Sequence, residues 1–245
     1  MDSSTKNYVR LKAFRAIDRP DLCDKFIEGH SRVLSSVGVE KVTSNTNEWT
    51  QNPASFVVLC ESQDGEKTYG GARVHAYGGS QVLPIEEATL EMDPTIVDHV
   101  KRFAPQGTGE LCGLWNSIEV AGMGIGAVYL IRCAIAILTQ LGLGTCWALC
   151  SPFSARIAKN YGFLKYPDVG NDGTFYYPKI DLLATACLVE DSSKLEFGNP
   201  DEVQRIQDLR KNPIQKLDET NRGRTMNVEY NLLIENVDKS LFKWS

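Results

Sequence analysis

The residues best placed to do chemistry gather around one glycine turn. Ala121-Gly122-Met123-Gly124-Ile125-Gly126 lies between a strand pattern ending near Val120 and an apolar helix pattern beginning near Ala127. Glycines let the backbone approach a ligand closely and point successive N–H groups outward. The helix start adds four unpaired N–H groups and the positive end of its dipole, an arrangement that can hold a pyrophosphate. The spacing is G-x-G-x-G, which departs from the dinucleotide fingerprint, and no Lys-Ser or Lys-Thr follows as a triphosphate loop requires. A tight strand-to-helix turn without a ligand remains the alternative on this pattern alone. Upstream, Arg73 and His75 share one face of a strand, with Ala72, Val74 and Ala76 on the other. The two ionisable residues therefore face solvent together or a polar site together.

The elements that must position these groups follow from period and punctuation. Tyr8 to Ile17 alternates polar Tyr8, Arg10 and Lys12 against Val9, Leu11 and Ala13, a strand with one buried face. Asp18 and Pro20 start a helix whose stripe is Leu22, Phe26, Val33, Leu34 and Val37, and Gly38 ends it. His30 lies on this helix and reads as filler. Thr43 to Pro53 is a polar, turn-rich stretch in which Trp49 either lines a pocket or pins the loop to the core. Ser55 to Glu61 is a continuous apolar run, hence a strand buried on both faces, and Thr68 to Tyr77 returns from a turn at Ser62 to Gly65. An acidic connection with Glu86, Glu87, Glu91 and Asp93 precedes a short helix through Phe103. It is either a solvated face or a receiver of a cationic ligand.

Glu110 to Val120 reads as the central strand. Strict alternation puts Glu110, Cys112, Leu114, Asn116 and Ile118 on one face and Leu111, Gly113, Trp115, Ser117 and Glu119 on the other. The helix from Ala127 to Leu141 is apolar on nearly every side and should be buried. Thr145 to Ser151 is the next strand and Pro152 opens the next helix. Strands at Thr174 to Tyr177 and Asp181 to Val189, a helix from Asn199-Pro200, and a one-sided strand from Met226 to Ile234 complete the chain.

The order of these parts resembles the core of the GCN5-related N-acetyltransferase (GNAT) superfamily. Val120, Gly124 and Gly126 correspond to the valine and two glycines of that family's turn, and Gly162-Phe163 to its closing pair. The resemblance implies an α/β (α+β) fold with a mixed, twisted central sheet flanked by helices. It also implies acetyl-CoA or acyl-CoA as cosubstrate and transfer of the acyl group to an amine. The turn would hold the pyrophosphate through Ile118, Val120, Gly122, Met123, Gly124, Ile125, Gly126 and Ala127, with Arg156 toward the phosphoadenosine. Glu110 matches the family's general base, needed because an ammonium is no nucleophile until it loses a proton. Glu119 is less suited, since it lies beside the anion turn. The family's arginine or glutamine before the first turn glycine is here Ala121, and its thiolate-protonating tyrosine falls at Ala158, leaving Tyr161 as the nearby candidate acid. Cys146 or Cys150 could carry the acyl group or protonate the thiolate, although buried cysteines are mostly inert.

Within that superfamily, the segment with Gly70, Gly71, Ala72, Arg73, Leu83 and Pro84, followed by Glu110, is similar to the acyl-homoserine lactone synthases and N-acyl amino acid synthases. Arg73 and Trp115 would then border the acceptor. Cys112 and Gly113 stand where the E-x-S-R motif of those enzymes has serine and arginine, which departs from lactone synthesis and leaves acyl transfer. A GNAT-shaped binding protein without turnover, or a lactone synthase-like enzyme, are the rival readings.

Composition sets the outer bounds. The chain has 245 residues with formal net charge −5, and no basic stripe for nucleic acid is visible. Its seven cysteines show no C-x-x-C spacing, so neither a disulfide framework nor a metal site is indicated. No secretion signal opens the chain, and Ala127 to Leu141, broken by Arg132, is too short for a membrane span, so a cytoplasmic location is expected. The expected organisation is an acyltransferase domain over residues 1–190 and a helix–strand extension over 191–245. That extension would close the acyl pocket, add an edge strand or mediate a homodimer. The expected partners are a small-molecule amine acceptor and, as an alternative donor, an acyl carrier protein.

Overall fold

The computed structural model describes residues 7–36, 47–221, 223–235 and 237. Its framework is one mixed sheet. The strands are β1 (Asn7–Arg15), β2 (Ser55–Glu61), β3 (Thr68–Ala76), β4 (Thr108–Asn116), β5 (Thr145–Cys150), β6 (Leu164–Lys165), β7 (Thr174–Tyr176), β8 (Leu183–Val189), β9 (Ile214–Asn221) and β10 (Arg224–Asn231). They run in the order β6-β8-β5-β4-β3-β2-β1-β10-β9, with β7 also paired to β8. β1–β10 and β4–β5 are parallel, and the other neighbours are antiparallel.

Two layers of helix cover the middle of this sheet. On one face lie α1 (Pro20–Ser36), α2 (Pro84–Thr89) and α3 (Ile96–Phe103); on the other lie α4 (Ile131–Leu141), α5 (Pro152–Ala158) and α6 (Pro200–Lys211). The apolar run of β2 is buried throughout, and its side chains divide between the layers. Phe56, Val58 and Cys60 join the α4 core, while Val57 and Leu59 pack with Phe26 of α1. Strands covered on both faces need no polar alternation, which is why this stretch has none.

Trp49 is buried and meets Phe26 edge-on at 5.5 Å, so it pins its loop to the core. Val37, Gly38 and the polar stretch as far as residue 46 lie outside the described residues.

The central strand is shorter than alternation predicts. β4 stops at Asn116, and Ile118–Val120 is a single 3-10 turn. A bulge also interrupts it: Gly71 pairs with Trp115 and Arg73 with Cys112, so Gly113 and Leu114 together oppose Ala72. Gly113 has φ +56°, a left-handed conformation that a side chain would strain. The extra residue reverses the alternation beyond it. Trp115 therefore shares the α1 face with Glu110 and Cys112, opposite to the expected side, and Leu114 turns to the α4 core.

α6 and the β9–β10 hairpin extend the same sheet. β10 lies parallel to β1, and its Met226, Val228 and Tyr230 join the α4 core as the one-sided pattern predicts. β9 is not expected from sequence. Arg132 of α4 is 2% exposed and bonds Glu202 of α6 (Nε–Oε2 2.9 Å) and Glu219 of β9 (Nη1–Oε1 3.0 Å). Tyr230 donates to the same Glu219 oxygen at 2.8 Å. A cation that interrupts an apolar helix is thus the buried anchor of the C-terminal elements.

Candidate active site

β4 and β5 pair only at Thr108–Thr145, Gly109–Cys146 and Glu110–Trp147. Beyond Glu110 the two parallel strands separate. A cavity of about 230 Å³ passes through the opening. On the α1 side it meets His30, Pro84, Glu110 and Cys112; on the α4 side it meets Leu114, Ile131, Ala148 and Ala158. Ala158, the position of the expected tyrosine, lies in this wall, and Ser154 and Tyr177 also line the cavity.

Glu110 sits at the closed end of the opening, 2% exposed. Its Oε2 accepts the Ile85 N–H at the first turn of α2, at 2.6 Å. Burial raises its carboxyl to about 8 against the lowering effects of that hydrogen bond and of Arg73, and Glu86 and Glu87 nearby raise it further. Desolvation wins because no cation among the described residues forms a close ion pair with the carboxylate. Glu86 is itself buried, accepting the Leu83 N–H at 2.7 Å, so the acidic connection is only partly a solvated face. Glu119 is exposed, 4.0 Å from Lys67.

Arg73 and His75 face inward. Arg73 is 1% exposed; its Nη2 reaches Cys112 Sγ at 3.6 Å, and its guanidinium lies 4.5 Å from the Trp49 ring centroid. Among the described residues its Nε and Nη1, and both ring nitrogens of His75, have no hydrogen-bond partner. A Cβ on Gly113 would lie 3.3 Å from Arg73 Nε, so the bare glycine leaves the guanidinium directly behind the cavity wall. Trp115 is buried edge-on against Phe26 at 5.8 Å. Burial pushes His30 down to about 4, so this wall residue is neutral. Burial pushes the Cys112 thiol up to about 11 and raises Cys146 as well, while a hydrogen bond with Cys187, with burial second, raises Cys150; all three stay protonated. Cys150 lines the cavity, yet as a thiol it is a poor acyl carrier.

A second cavity, about 380 Å³, lies between the glycine turn and α5. It is walled by Asn116, Val120, Gly122, Gly124, Ile125, Gly126, Phe153 and Ile157. Gly122 and Gly124 have φ +79° and +86°, and a Cβ on Gly126 would stand 2.2 Å from Asn116 Oδ1. This is a cradle that only glycine leaves open. Six residues of π-helix, Ile125–Leu130, lead from it into α4. Met123 packs on the core, whereas Ile118 is 88% exposed and Arg156 is exposed on α5; neither lines the cradle. The side chain of Ala127 lies outside the described residues.

Tyr161 is the one catalytic expectation that the geometry redirects. It is buried in the α4 core, and its hydroxyl donates to the Val128 carbonyl at 3.3 Å. It is not among the residues lining the cavity at Glu110. The family tyrosine falls at Ala158, and Tyr161 lies three residues on, nearly a full helical turn.

No protein-family model and no curated protein matches the sequence. Solved structures do match. FeeM, an N-acyl amino acid synthase from uncultured soil microbes, superposes with TM-score 0.57 at 10% identity, over 78% of this chain and 94% of that one. BjaI, a CoA-dependent acyl-homoserine lactone synthase solved with SAM and isopentyl-CoA, superposes with TM-score 0.50 at 13% identity, over 84% and 90%. The fold is GNAT-like. The splayed parallel strands and the glycine turn, on which the resemblance rests, are thus features of a GNAT-like framework. Among the described residues no group of three or more His, Cys, Asp or Glu could hold a metal, and no helix is long and apolar enough to cross a membrane. Sequence reasoning missed His30, Pro84 and Tyr177 as cavity walls. They reach it from three distant segments, and no local spacing announces that.

Proposed function

We propose that this chain is an N-acyltransferase that moves an acyl group from a coenzyme A thioester to an amine, with Glu110 as general base. The observation that carries this reading is the cavity through the β4–β5 opening, with a buried carboxyl at one end and the glycine cradle beyond the other. Both cavities border β4, one at residues 110–114 and the other at Asn116, so a base and an anion site lie along one strand. The thioester supplies the activated acyl carbon and a thiolate leaving group. Gly122 to Gly126 hold the diphosphate through backbone amides, and the edge of β4 beyond Glu110, released from β5, offers backbone groups to the pantetheine arm. Orienting the two reactants in this way supplies several of the roughly 7–11 kcal/mol available from proximity.

Glu110, raised to about 8, takes the proton of an acceptor ammonium where a carboxylate of ordinary pKa would be too weak. The two guanidinium nitrogens of Arg73 that lack a hydrogen-bond partner among the described residues, behind Gly113, support an acceptor that also carries a carboxylate, as an amino acid does. The named activity of FeeM agrees with this choice. The arginine of the lactone-synthase motif is Gly113 here, so acylation without lactone closure is the favoured outcome. A cytoplasmic location and an acyl carrier protein as alternative donor belong to the same proposal.

The test is thiol release from acetyl-, medium- and long-chain acyl-CoA in the presence of a panel of amines and amino acids. Transfer by the wild type that falls on average 10²- to 10⁴-fold in Glu110→Gln supports the base. A protein that binds acyl-CoA but releases no thiol with any acceptor would be a binding protein, and the proposal fails.

A further inference from the structure

The glycine cradle has no cation of its own. Among Asn116, Val120, Ala121, Gly122, Gly124, Ile125, Gly126, Val128, Phe153, Ile157, Asn160 and Asn221, which wall it, none is positively charged. The preceding turn brings only Glu119. A diphosphate held there by amides alone would keep its two negative charges without a counter-charge.

The C-terminal hairpin supplies one. Arg224, the first residue of β10, places Nη1 3.8 Å from the position of a Gly122 Cβ. Among the described residues it has no carboxylate partner. Asn221, the last residue of β9 and paired with Arg224, places Nδ2 2.2 Å from the position of a Gly124 Cβ. A Cβ at 124 would therefore collide with the Asn221 side chain, which would have to move away. The approach is also held in place. Arg132 belongs to the helix that grows from the turn, and Glu219, its buried partner, lies two residues before Asn221. The same ion pair thus ties the cradle to the strand end that covers it.

We propose that the β9–β10 hairpin is part of the donor site, with Arg224 as the cation and Asn221 as a side-chain amide donor for the diphosphate of the coenzyme A-type ligand. This rests on the acyl-transfer reading and assigns a binding role to a region that the resemblance leaves unexplained. Arg224 thereby makes up for the cation missing from the turn at Ala121.

Calorimetric titration of the full chain with coenzyme A, dephospho-coenzyme A and pantetheine tests it. The second ligand keeps the diphosphate and lacks the ribose phosphate; the third lacks both. Arg224→Ala should weaken the first two alike, by about ten- to hundredfold, as expected for loss of a charge-assisted contact. It should leave pantetheine unchanged, and Arg224→Lys should recover most of the loss. The salt dependence of coenzyme A binding should also flatten. Arg224 is exposed, so the variant should keep the wild-type melting temperature. Asn221→Asp, which sets a carboxylate against the diphosphate, should weaken the same two ligands without touching pantetheine. Unchanged dephospho-coenzyme A affinity in both variants overturns the proposal, as does a loss confined to coenzyme A. If the wild type binds neither coenzyme A nor dephospho-coenzyme A, the acyl-transfer reading itself has failed, and the hairpin assignment with it.

Discussion

Glutamine at position 110 separates the ionisation of the site from its shape. The amide has the size of the carboxyl, and its oxygen can still accept the Ile85 N–H, so Glu110→Gln should fold. What it removes is a proton equilibrium. The folded-state carboxyl is raised from 4.5 to about 8 by burial. Below pH 4.5 both the folded and the unfolded chain hold this proton, and its contribution to stability is complete. As pH rises, the unfolded chain releases the proton first, so stability falls until the folded chain releases it as well, near pH 8. The slope is about 1.4 kcal/mol per pH unit. Over an interval of about 3.5 units the single residue removes about 5 kcal/mol, comparable with the whole stability of many domains. Glutamine has no proton to lose, so the variant gains on the wild type by that amount between pH 4.5 and 8. Urea unfolding followed by tryptophan fluorescence at half-unit pH steps measures it, as the difference between the two proteins. A difference that stays flat across this range would refute the buried, uncompensated carboxyl and with it the case for Glu110 as a base. In the wild type, kcat/KM should rise with pH through about 8, the pKa of the base in the free protein, and the variant should lose that limb.

Three further substitutions probe the frame around this group. Gly29→Ala on α1 would gain about 1 kcal/mol on an exposed helix, but here the new Cβ would stand 2.0 Å from the Trp115 ring. Overpacking of 1–3 kcal/mol or more should win, and calorimetry should show a melting temperature several degrees lower; a rise would mean that α1 is not seated on Trp115. Gly113→Ala forces an L-residue to φ +56° and should cost about 1–2 kcal/mol in chemical denaturation. By screening Arg73 it should also raise KM for an amino acid more than for a simple amine, and equal effects on the two would remove Arg73 from the acceptor site. Arg132→Met strips the buried Glu219 of its main cation and should cost about 3–5 kcal/mol, with part recovered in Arg132→Met/Glu219→Leu. No recovery in the double variant would show that the arginine acts through packing and not through charge.

How much of this could be read before the structure depended on whether the controlling interaction was local. The glycine turn, the doubly buried β2 and the one-sided β10 are set by neighbouring residues, and their patterns are plain. The shared face of Arg73 and His75 is plain too, although only the structure shows it buried, with two guanidinium nitrogens and both imidazole nitrogens lacking a partner among the described residues. Where alternation misplaces Trp115, the cause is one glycine in a strand, a known sign of a bulge that does not say on which side the chain resumes. β9 carries Ile214-Gln215-Lys216-Leu217-Asp218-Glu219-Thr220-Asn221, with mostly exposed side chains and no face to read. Its one deeply buried residue, Glu219, is fixed by Arg132, 87 positions away in the chain.

On the proposed reading, the two buried charges near the cavity make opposite demands on an acceptor. Arg73 is a cation with two N–H-bearing atoms unsatisfied, and its nearest contacts are a thiol and an indole face. Glu110 is a carboxyl that desolvation holds near neutrality although Arg73 lowers it. Neither cancels the other, because the guanidinium is turned to Cys112 and the carboxyl to Ile85. A simple amine would answer only Glu110 and leave the buried guanidinium unpaired. A free fatty acid would answer only Arg73, and by neutralising it would make Glu110 still harder to ionise. A zwitterion answers both: its carboxylate pairs with Arg73 while its ammonium, beside Glu110, favours the ionised base that must accept its proton. On that reading the site would select for amino acids through charge balance before any side-chain pocket is considered, leaving the apolar walls at Leu114, Ile131 and Ala148 for the acyl chain.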